Sequence, residues 1–436
     1  MRWVTNAAGS RSSREDRRHH ESFTPVDPTS LSLHNPHAYK HVSDSTVPGM
    51  SIGKGAYLKA LTAHLPMRSR DLGRDLEGSS PPSVFVGAWN YPKVYAGPMI
   101  APLHGDTSIM DTPEAWIPSR LKQEEIIGYR LDLVRGKKIS HVRDLSTPYA
   151  ETLREIALSG GSLESEARFG HSPQGFSFGE EHTPFGPSAP LESIHTAEGR
   201  WEPHLEKAFY DTDLSATEAI LRLHADGVPF STIQKALSVG TLGMGRGRRM
   251  VPTRWSITAC DTAIADNMLC KVRQNSLIDS YQVREFSSLH NHYAVLLMPT
   301  GWQYEWIEAF LQVMGKEELV FSDWEGHGKK REYSPVGGCY YSCKMAVLEA
   351  LAREGRQAGA IVLREARKGY VPLGVFNVRE NVRQAMQQTP RVFEGMGEAL
   401  SYIQTKMTLP MDRFIGESTL LEECRRERQA TLSMYW

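Results

Sequence analysis

The sequence lacks any long apolar run, and no stretch approaches the roughly 18 apolar residues that a membrane-spanning helix needs. Its first seven residues, Met1 to Ala7, also lack the apolar middle of a secretory signal. Cysteine is scarce, with five residues scattered between Cys260 and Cys424. An odd number of scattered cysteines does not favour a disulfide framework. We therefore expect a protein of the reducing cytoplasm with no membrane contact.

An excess of charge of either sign is also missing, because 50 Lys and Arg residues face 51 Asp and Glu residues. A uniformly basic protein that coats nucleic acid is excluded. A local basic patch is not, since phosphate binding responds to charge within a Debye length of about 8–10 Å. No internal repeat of fixed period is present, which excludes a solenoid.

The chain of 436 residues exceeds the size at which one hydrophobic core usually stops growing, so we expect two packed units. A stretch rich in Gly, Ser, Pro and Glu at 159–198 places their boundary near Arg200. The predicted organisation is a largely flexible N-terminal segment at 1–50, an N-terminal domain at 51–199, a C-terminal domain at 200–420, and a charged linker with a terminal peptide at 421–436.

Helical and strand patterns alternate along the chain. Asp213 and Ser231 are expected to cap the N-termini of two helices, and residues 338–353 place apolar side chains on one helical face. The β-rich runs 281–286 and 293–298 predict an antiparallel hairpin with a longer loop. Further strands are expected at 84–86 and 360–363. The fold class is therefore α/β (mixed α+β), with a mixed sheet.

The last eight residues carry the most specific pattern. Gln429 is followed by Leu432 at the fourth position and by Tyr435 and Trp436 at the seventh and eighth. One tight turn puts Leu432 and Tyr435 on the same side as a two-pronged apolar plug. This spacing resembles a PCNA-interacting peptide (PIP motif). The alternative is that the aromatic residues fold back onto the core. The charged run 422–428 favours a flexible tail that binds the clamp.

Six blocks of the body, together with this peptide, resemble the archaeal Nre family. The blocks are GSSPPSVFVG (78–87), GDTSIMDTPE (105–114), YDTD (210–213), VPTRWSIT (251–258), SDWEG (322–326) and NVRENVR (377–383). The resemblance implies a role in DNA repair and the sliding clamp PCNA as a partner, at the nucleoid. One branch of the family has a four-cysteine zinc element near its N-terminus. No cysteine precedes Cys260 here, so that zinc site is not expected.

The strongest candidates for DNA contact are four arginines near a glycine-rich loop. Arg246, Arg248, Arg249 and Arg254 can each offer a planar fork to phosphate oxygens. Trp255 can stack on an exposed base, although a core position suits it better. The alternative is a basic surface loop in which Arg254 pairs with a carboxylate.

The sequence leaves open whether the body is an enzyme. Ser79, Ser80 and Ser83 form a possible phosphate or nucleotide loop that lacks the lysine of a P-loop. A metal-dependent nuclease, or an enzyme that processes nucleotides or nucleic-acid adducts, is the alternative function, with Mg²⁺ as its possible metal. The acidic candidates for it are Asp106, Asp111 and Glu114, Asp211 and Asp213, and Asp323 and Glu325.

Three other groups of residues have a plainer structural explanation. Arg364, Glu365, Arg379 and Glu380 form either a buried ion-pair network or a phosphate clamp. Cys339 and Cys343 share a helical face and are expected to pack rather than to bind metal. His34, His37 and His41 have a spacing that can hold a metal, but such clusters are more often unliganded.

Overall fold

The computed structural model describes residues 53–63, 72–179, 182–328, 330 and 332–423. The N-terminal segment 1–50 with its three histidines and the peptide 429–436 lie outside these residues. The α-helices are α1 Lys54–Ala63, α2 Pro113–Trp116, α3 Gln123–Asp132, α4 Pro148–Leu158, α5 Pro203–Tyr210, α6 Ala216–Ala225, α7 Phe230–Ser238, α8 Thr253–Val272, α9 Gly338–Glu354, α10 Val375–Gln387, α11 Met396–Gln404 and α12 Met411–Glu417.

Most of the strands build two mixed sheets of six. The strands are β1 Asp75–Ser80, β2 Val84–Val86, β3 Lys93–Ile100, β4 Val134–His141, β5 Leu163–Phe169, β6 Ser188–Thr196, β7 Ser276–Leu277, β8 Tyr281–Ser288, β9 Asn291–Met298, β10 Tyr304–Leu311, β11 Glu318–Glu325, β12 Arg356–Gln357, β13 Gly359–Ala366 and β14 Arg391–Phe393. The first sheet has the order β1-β5-β6-β4-β3-β2 and the second β11-β10-β13-β9-β8-β14. The predicted mixed α/β class is confirmed.

The predicted hairpin is present, but its loop is short. Strands β8 and β9 pair in antiparallel register up to Ser288 and Asn291. Only Leu289 and His290 connect them, both with positive φ, as in a two-residue hairpin turn of primed type. Polar residues at the ends of both strands also pair in the sheet, so the strands are longer than their apolar pattern indicates. The expectation of a longer loop was wrong.

Two predicted helix caps were displaced. Helix α6 is capped by Ser215, not Asp213, because Ser215 and Glu218 exchange hydrogen bonds as a capping box. Helix α7 starts at Phe230 after Pro229, so Ser231 lies in its first turn. Its backbone amide donates to the Glu114 side chain from another helix. A residue distant in sequence therefore supplies the acceptor that a local cap was expected to provide.

The second sheet is buried on both faces. On one face, β-strand residues such as Val295 and Val362 pack among helices α6 to α10 in the largest core cluster. Ile307 and Leu363 on the opposite face pack against α11 and α12. A strand covered on both sides is buried throughout, as in β9, whose residues from Ala294 to Met298 are all apolar. None of the helices in the described part of the chain is long and apolar enough to cross a membrane.

The first sheet is covered unevenly. Val94 and Ala96 of β3 point to a core shared with Leu153 and Ile156 of α4. The opposite face is covered at one end, where Met99 packs with Phe185 and neighbouring residues. At the other end this face remains open, with Ile139 56% exposed.

The two sheet units pack against each other through helices α2, α3 and α10. The ring of Trp116 meets that of Phe376 edge to face at 4.7 Å between centroids. The Gln123 side chain donates to the Gly369 carbonyl at 2.8 Å and accepts from the Val371 amide at 3.0 Å. Apolar packing and directed hydrogen bonds thus fix the junction between the two units.

Candidate functional site: a charged cavity between the two sheets

A small cavity lies at the junction of the two units. Its volume is about 60 Å³, room for roughly four water molecules. One wall comes from the first unit, with Ser83, Phe85 and His182. The other comes from α7, α8 and α10 and includes Lys235 and Arg379. Concave sites with a few convergent polar groups are the usual location of binding or catalysis. We call this space the charged cavity.

A buried ion triad forms its floor. Arg130 contacts one carboxylate oxygen of Asp111, and the Lys235 ammonium lies 3.3 Å from the other. Burial alone raises the pKa of Asp111, but the charges of Arg130 and Lys235 outweigh it and hold that pKa below its ordinary value. Ser83 also hydrogen-bonds this carboxylate. Asp111 is therefore ionised at neutral pH and lies between two basic side chains.

Glu114 contributes a buried acceptor that no described residue uses. One of its carboxylate oxygens accepts the hydrogen bond from the Ser231 amide. The other, Oε2, is buried and has no hydrogen-bond partner among the described residues. A buried acceptor without a partner costs about 1–3 kcal/mol, so such atoms call for an explanation. A ligand with an N–H or O–H donor would satisfy Oε2.

His182 enters the cavity as a neutral imidazole. Its Nδ1 lies 2.8 Å from the Thr183 carbonyl, which can only accept, so Nδ1 carries the proton and Nε2 is the acceptor. Burial lowers the pKa of His182 to about 4, and the positive charges of Arg135, Arg130 and Arg254 act in the same direction. At neutral pH the Nε2 atom of His182 is therefore unprotonated, and it can accept a hydrogen bond or a proton.

The wall from α10 carries a second set of buried charges. Arg379 makes a bidentate contact with Asp261, at 2.9 and 2.7 Å, and its guanidinium lies 3.6 Å above the Phe230 ring. Burial raises the pKa of Glu380 to about 7, although Arg383 opposes this shift. A carboxyl group that titrates near neutral pH therefore lies next to the cavity.

The three serines do not share a loop as predicted, because Ser79 and Ser80 are the last residues of strand β1 and pair with β5, whereas Ser83 lies in the connection to β2. The Ser79 hydroxyl donates to Glu164 at 2.6 Å, and that of Ser80 donates to the Met99 carbonyl at 2.8 Å. Both are fully buried. Only Ser83 lines the charged cavity. Any contact of this loop with a ligand in the cavity therefore passes through Ser83.

The four arginines fall into two places. Arg248 is engaged within the protein, since it donates to the Gly243 and Phe209 carbonyls at 2.7 Å each. Arg246 is exposed and Arg249 is half-buried on the same loop. Arg254 lies instead in the first turn of α8, and its positive charge is close enough to His182 to lower the pKa of that histidine.

The exposed aromatic neighbour of the arginine loop is Tyr210 rather than Trp255. Trp255 is half-buried and packs against Tyr91, with 5.1 Å between ring centroids, in line with a structural position. Tyr210 lies at the end of α5, whose Phe209 carbonyl holds Arg248, and it is 68% exposed. The exposed ring of Tyr210, about forty residues earlier in the sequence, therefore lies near the arginine loop, where a base could stack on it.

The acidic candidates do not converge. Asp106 is exposed and accepts hydrogen bonds from Ser108 and Ser162. Asp323 pairs with Lys330 at 2.7 Å, and Glu325 is buried against Lys344. Within the described ranges no group of three or more His, Cys, Asp or Glu residues is arranged to hold a metal ion. The contacts of Asp111 with two cations do not favour a third cation there.

Two further sets of buried residues in the second unit have structural roles: Arg364 with Glu365, and Cys339 with Cys343. Arg364 pairs with Glu308 at 3.0 Å, and Glu365 pairs with Arg367 at 2.8 Å, all inside or at the edge of the sheet. Their interpretation as an ion-pair network is confirmed. Cys339 and Cys343 are buried in the largest core cluster, as a packing role requires.

Arg130, His182 and Lys235 were missed from the sequence. Arg130 was detectable in principle, because Gln123, Ile126 and Arg130 follow one another at helical spacing on the buried face of α3. A charge in an apolar stripe is a signal of a buried pair. His182 lies in an irregular segment and has no such signal.

Comparison with known proteins defines the class. The family model described as "Archaeal Nre, N-terminal" matches residues 54–314, and "Archaeal Nre, C-terminal" matches residues 325–435. The chain therefore belongs to the archaeal Nre family, as the sequence blocks indicated.

Three relatives are similar over most of the chain. "DNA repair protein NreB" of Archaeoglobus fulgidus is 39% identical over 367 residues, covering 82% of this chain and 91% of the relative. "DNA repair protein NreA" of the same organism is 34% identical and covers 74% and 83%. "DNA repair protein NreA" of Haloferax volcanii is 30% identical and covers 80% and 87%.

Proposed function

We propose that this chain acts in DNA repair and is recruited to the sliding clamp PCNA through its terminal PIP motif. Three relatives carry the words DNA repair in their names, and the pattern of Gln429, Leu432, Tyr435 and Trp436 carries the clamp assignment. In this proposal the protein works at the nucleoid in the cytoplasm. DNA contacts come from the loop of Arg246 and Arg249, with Arg248 holding the loop in place.

The anchoring of the chain just before the tail supports this proposal. Buried Glu305 accepts hydrogen bonds from the amides of Thr419 and Leu420, at 2.8 and 3.1 Å, and from the Ser418 hydroxyl. Leu420 and Leu421 are each 1% exposed. The body therefore holds the chain firmly up to Leu421, and the proposed charged linker begins after that residue.

Deletion of residues 429–436 tests the recruitment. Titration calorimetry with the purified clamp should show binding by the full chain and none by the truncated one. In the full chain, Leu432→Ala and Tyr435→Ala should each weaken binding by at least about 30-fold, as loss of a buried anchor does. Ser433→Ala, in the same peptide, is the matched control and should bind like wild type. Equal affinity of truncated and full chains would refute recruitment by this peptide.

A second candidate is an enzyme for nucleotides or nucleic-acid adducts, delivered by the clamp. The unused Glu114 oxygen and the neutral His182 in the charged cavity favour it, because an acceptor and a base face the same space. The nuclease version with Mg²⁺ gains no such support from the contacts of Asp111.

Labelled branched, crosslinked and single-stranded DNA, incubated with and without Mg²⁺ or Mn²⁺, tests this activity. If products form, Glu114→Gln should abolish them and Asp106→Asn, on the exposed loop, should not. Product formation that survives Glu114→Gln would place the reaction elsewhere.

A further inference from the structure

We infer that the open face of the first sheet binds single-stranded nucleic acid, with bases stacked on Trp89. The Trp89 ring is 74% exposed and lies nearly parallel to the Tyr95 ring, with 6.3 Å between centroids and 14° between planes. Tyr95 of β3 pairs directly with Ile139 of β4, so their side chains share one face. We call Trp89, Tyr95 and Ile139 the aromatic platform.

Stacking suits the geometry of this platform. One face of the Trp89 indole is backed by Tyr95, and the high exposure leaves the other face available to a base. Each stacked base contributes substantially to binding of single strands and does so with little sequence preference. A duplex keeps its bases stacked on each other and cannot offer them to an exposed ring.

The charge around the platform matches a phosphate backbone. Strands β3 and β4 contain four Lys or Arg residues and no Asp or Glu. Lys93 pairs with His141 next to the Tyr95 and Ile139 pair, which puts both on the platform face. Of the other four strands of the sheet, β2 has no charged residue, and β1, β5 and β6 together contain five Asp or Glu residues and a single Arg. The sheet thus has a basic and an acidic half, and the platform lies in the basic half.

Arg135 and Lys137 provide a second, independent observation. Arg135 is 7% exposed, and no carboxylate contacts it within the described residues. Its Nη2 donates to the Tyr95 carbonyl at 3.0 Å, its guanidinium lies 4.2 Å from the Phe85 ring, and its Nε has no partner. Burial lowers the pKa of Lys137, and the neighbouring positive charge of Arg135 lowers it further. Neither cation has a carboxylate partner in the part of the chain that the structure describes, and two adjacent cations in this state are an arrangement that a phosphate group neutralises.

This surface leads towards the charged cavity. Phe85, under the Arg135 guanidinium, meets the His182 ring edge to face at 5.1 Å, and both residues line the cavity. The platform face and the charged cavity therefore adjoin each other at Phe85. The inference rests on the proposed function in that the protein acts on DNA. It uses neither the arginine loop nor the terminal peptide.

Fluorescence anisotropy with a labelled dT oligonucleotide of about 20 nucleotides tests the platform, since this length exceeds a typical single-strand site. Trp89→Ala in the full chain should weaken binding by roughly 5- to 150-fold, the loss expected for one stacked base. Trp89→Phe, which keeps an aromatic face, should recover most of it. Trp324→Ala on β11 removes a partly exposed tryptophan of the second sheet and is the matched control. Replacing Lys93 and Lys137 by Ala should reduce the slope of log K against log salt by about 1.4.

Binding by Trp89→Ala within twofold of the Trp324→Ala control would overturn the inference. So would an equal loss of affinity for a duplex of the same length, because stacking on Trp89 is specific to single strands. An oligo-U arm separates the two sources of single strands, and a preference for either dT or U supports the platform. The Trp89→Ala protein should still bind the clamp, so failure of the platform and failure of recruitment are observed in separate measurements.

Discussion

The carboxylate of Asp111 and the ammonium of Lys235 lie 3.3 Å apart in the charged cavity, on helical segments that belong to different parts of the sequence. Arg130 contacts the same carboxylate from α3. One buried anion therefore joins a 3₁₀ turn, α3 and α7. Its removal leaves two buried cations facing each other, which is much more costly than the loss of one hydrogen bond.

Asp111→Asn should lower the free energy of unfolding by about 3–5 kcal/mol, because Arg130 and Lys235 lose their counter-ion. Urea unfolding followed by circular dichroism measures this. Asp106→Asn is the matched control on the preceding loop, where the side chain is exposed. It should change stability by less than about 0.5 kcal/mol. Similar effects of the two variants would show that the triad does not support the fold.

The raised pKa of Glu380 predicts a pH dependence of stability. Between its ordinary value of 4.5 and about 7, the folded protein holds a proton at Glu380 that the unfolded chain has released. Stability from this group is therefore present at low pH and is lost as pH rises through this window. Glu380→Gln should remove the loss, so its advantage over wild type should grow from pH 5 to pH 8. Glu398→Gln, exposed on α11, should follow the wild-type curve.

The arginine loop predicts a change in salt dependence on duplex DNA. Replacing Arg246 and Arg249 by Ala should flatten the slope of log K against log salt by about two, since each phosphate contact contributes about 0.9. Arg248→Ala is informative as a contrast, because this side chain is engaged with backbone carbonyls. It should disturb the loop and lower stability. An unchanged slope in the double variant would move the duplex-binding surface elsewhere.

The anchor at Glu305 predicts local protection of the backbone. In Glu305→Gln one acceptor oxygen becomes an N–H group that faces other donors. Hydrogen exchange at the amides of Thr419 and Leu420 should then become about tenfold faster or more, as loss of a charged hydrogen bond implies. Glu318→Gln on the neighbouring strand β11 removes an exposed contact with Arg413 of α12 and should leave these amides unchanged. Equal exchange in both variants would contradict the anchoring role.

Elements with strong local patterns could be predicted from the sequence, and those fixed by distant partners could not. Helix α9 follows one apolar face and was predicted to within one residue of its observed end. Strand β1, with the sequence DLEGSS, has almost no β-forming residues and is held by pairing with β5, more than eighty residues away.

The N-cap of helix α6 was assigned wrongly for a different reason. Asp213 and Ser215 are both good capping residues, and the decision rests on Glu218, which completes a capping box only with Ser215. That signal was available in the sequence. The charged cavity was not, because Ser83, Asp111, Lys235 and Arg379 converge only when the two units pack. Charged residues from such distant positions share no local spacing.

The hydrogen bonds of Glu305 also set a distance. The chain is held as far as Leu421, and Gln429 follows eight residues later, which is a span of at most roughly 28 Å. In the proposed recruitment, the clamp-bound peptide keeps the body within about that distance of the ring. A short tether raises the local concentration of the body at DNA next to the ring and excludes more distant DNA. In this proposal the anchor at Glu305 sets the free length of the tether and with it the radius that the protein can search.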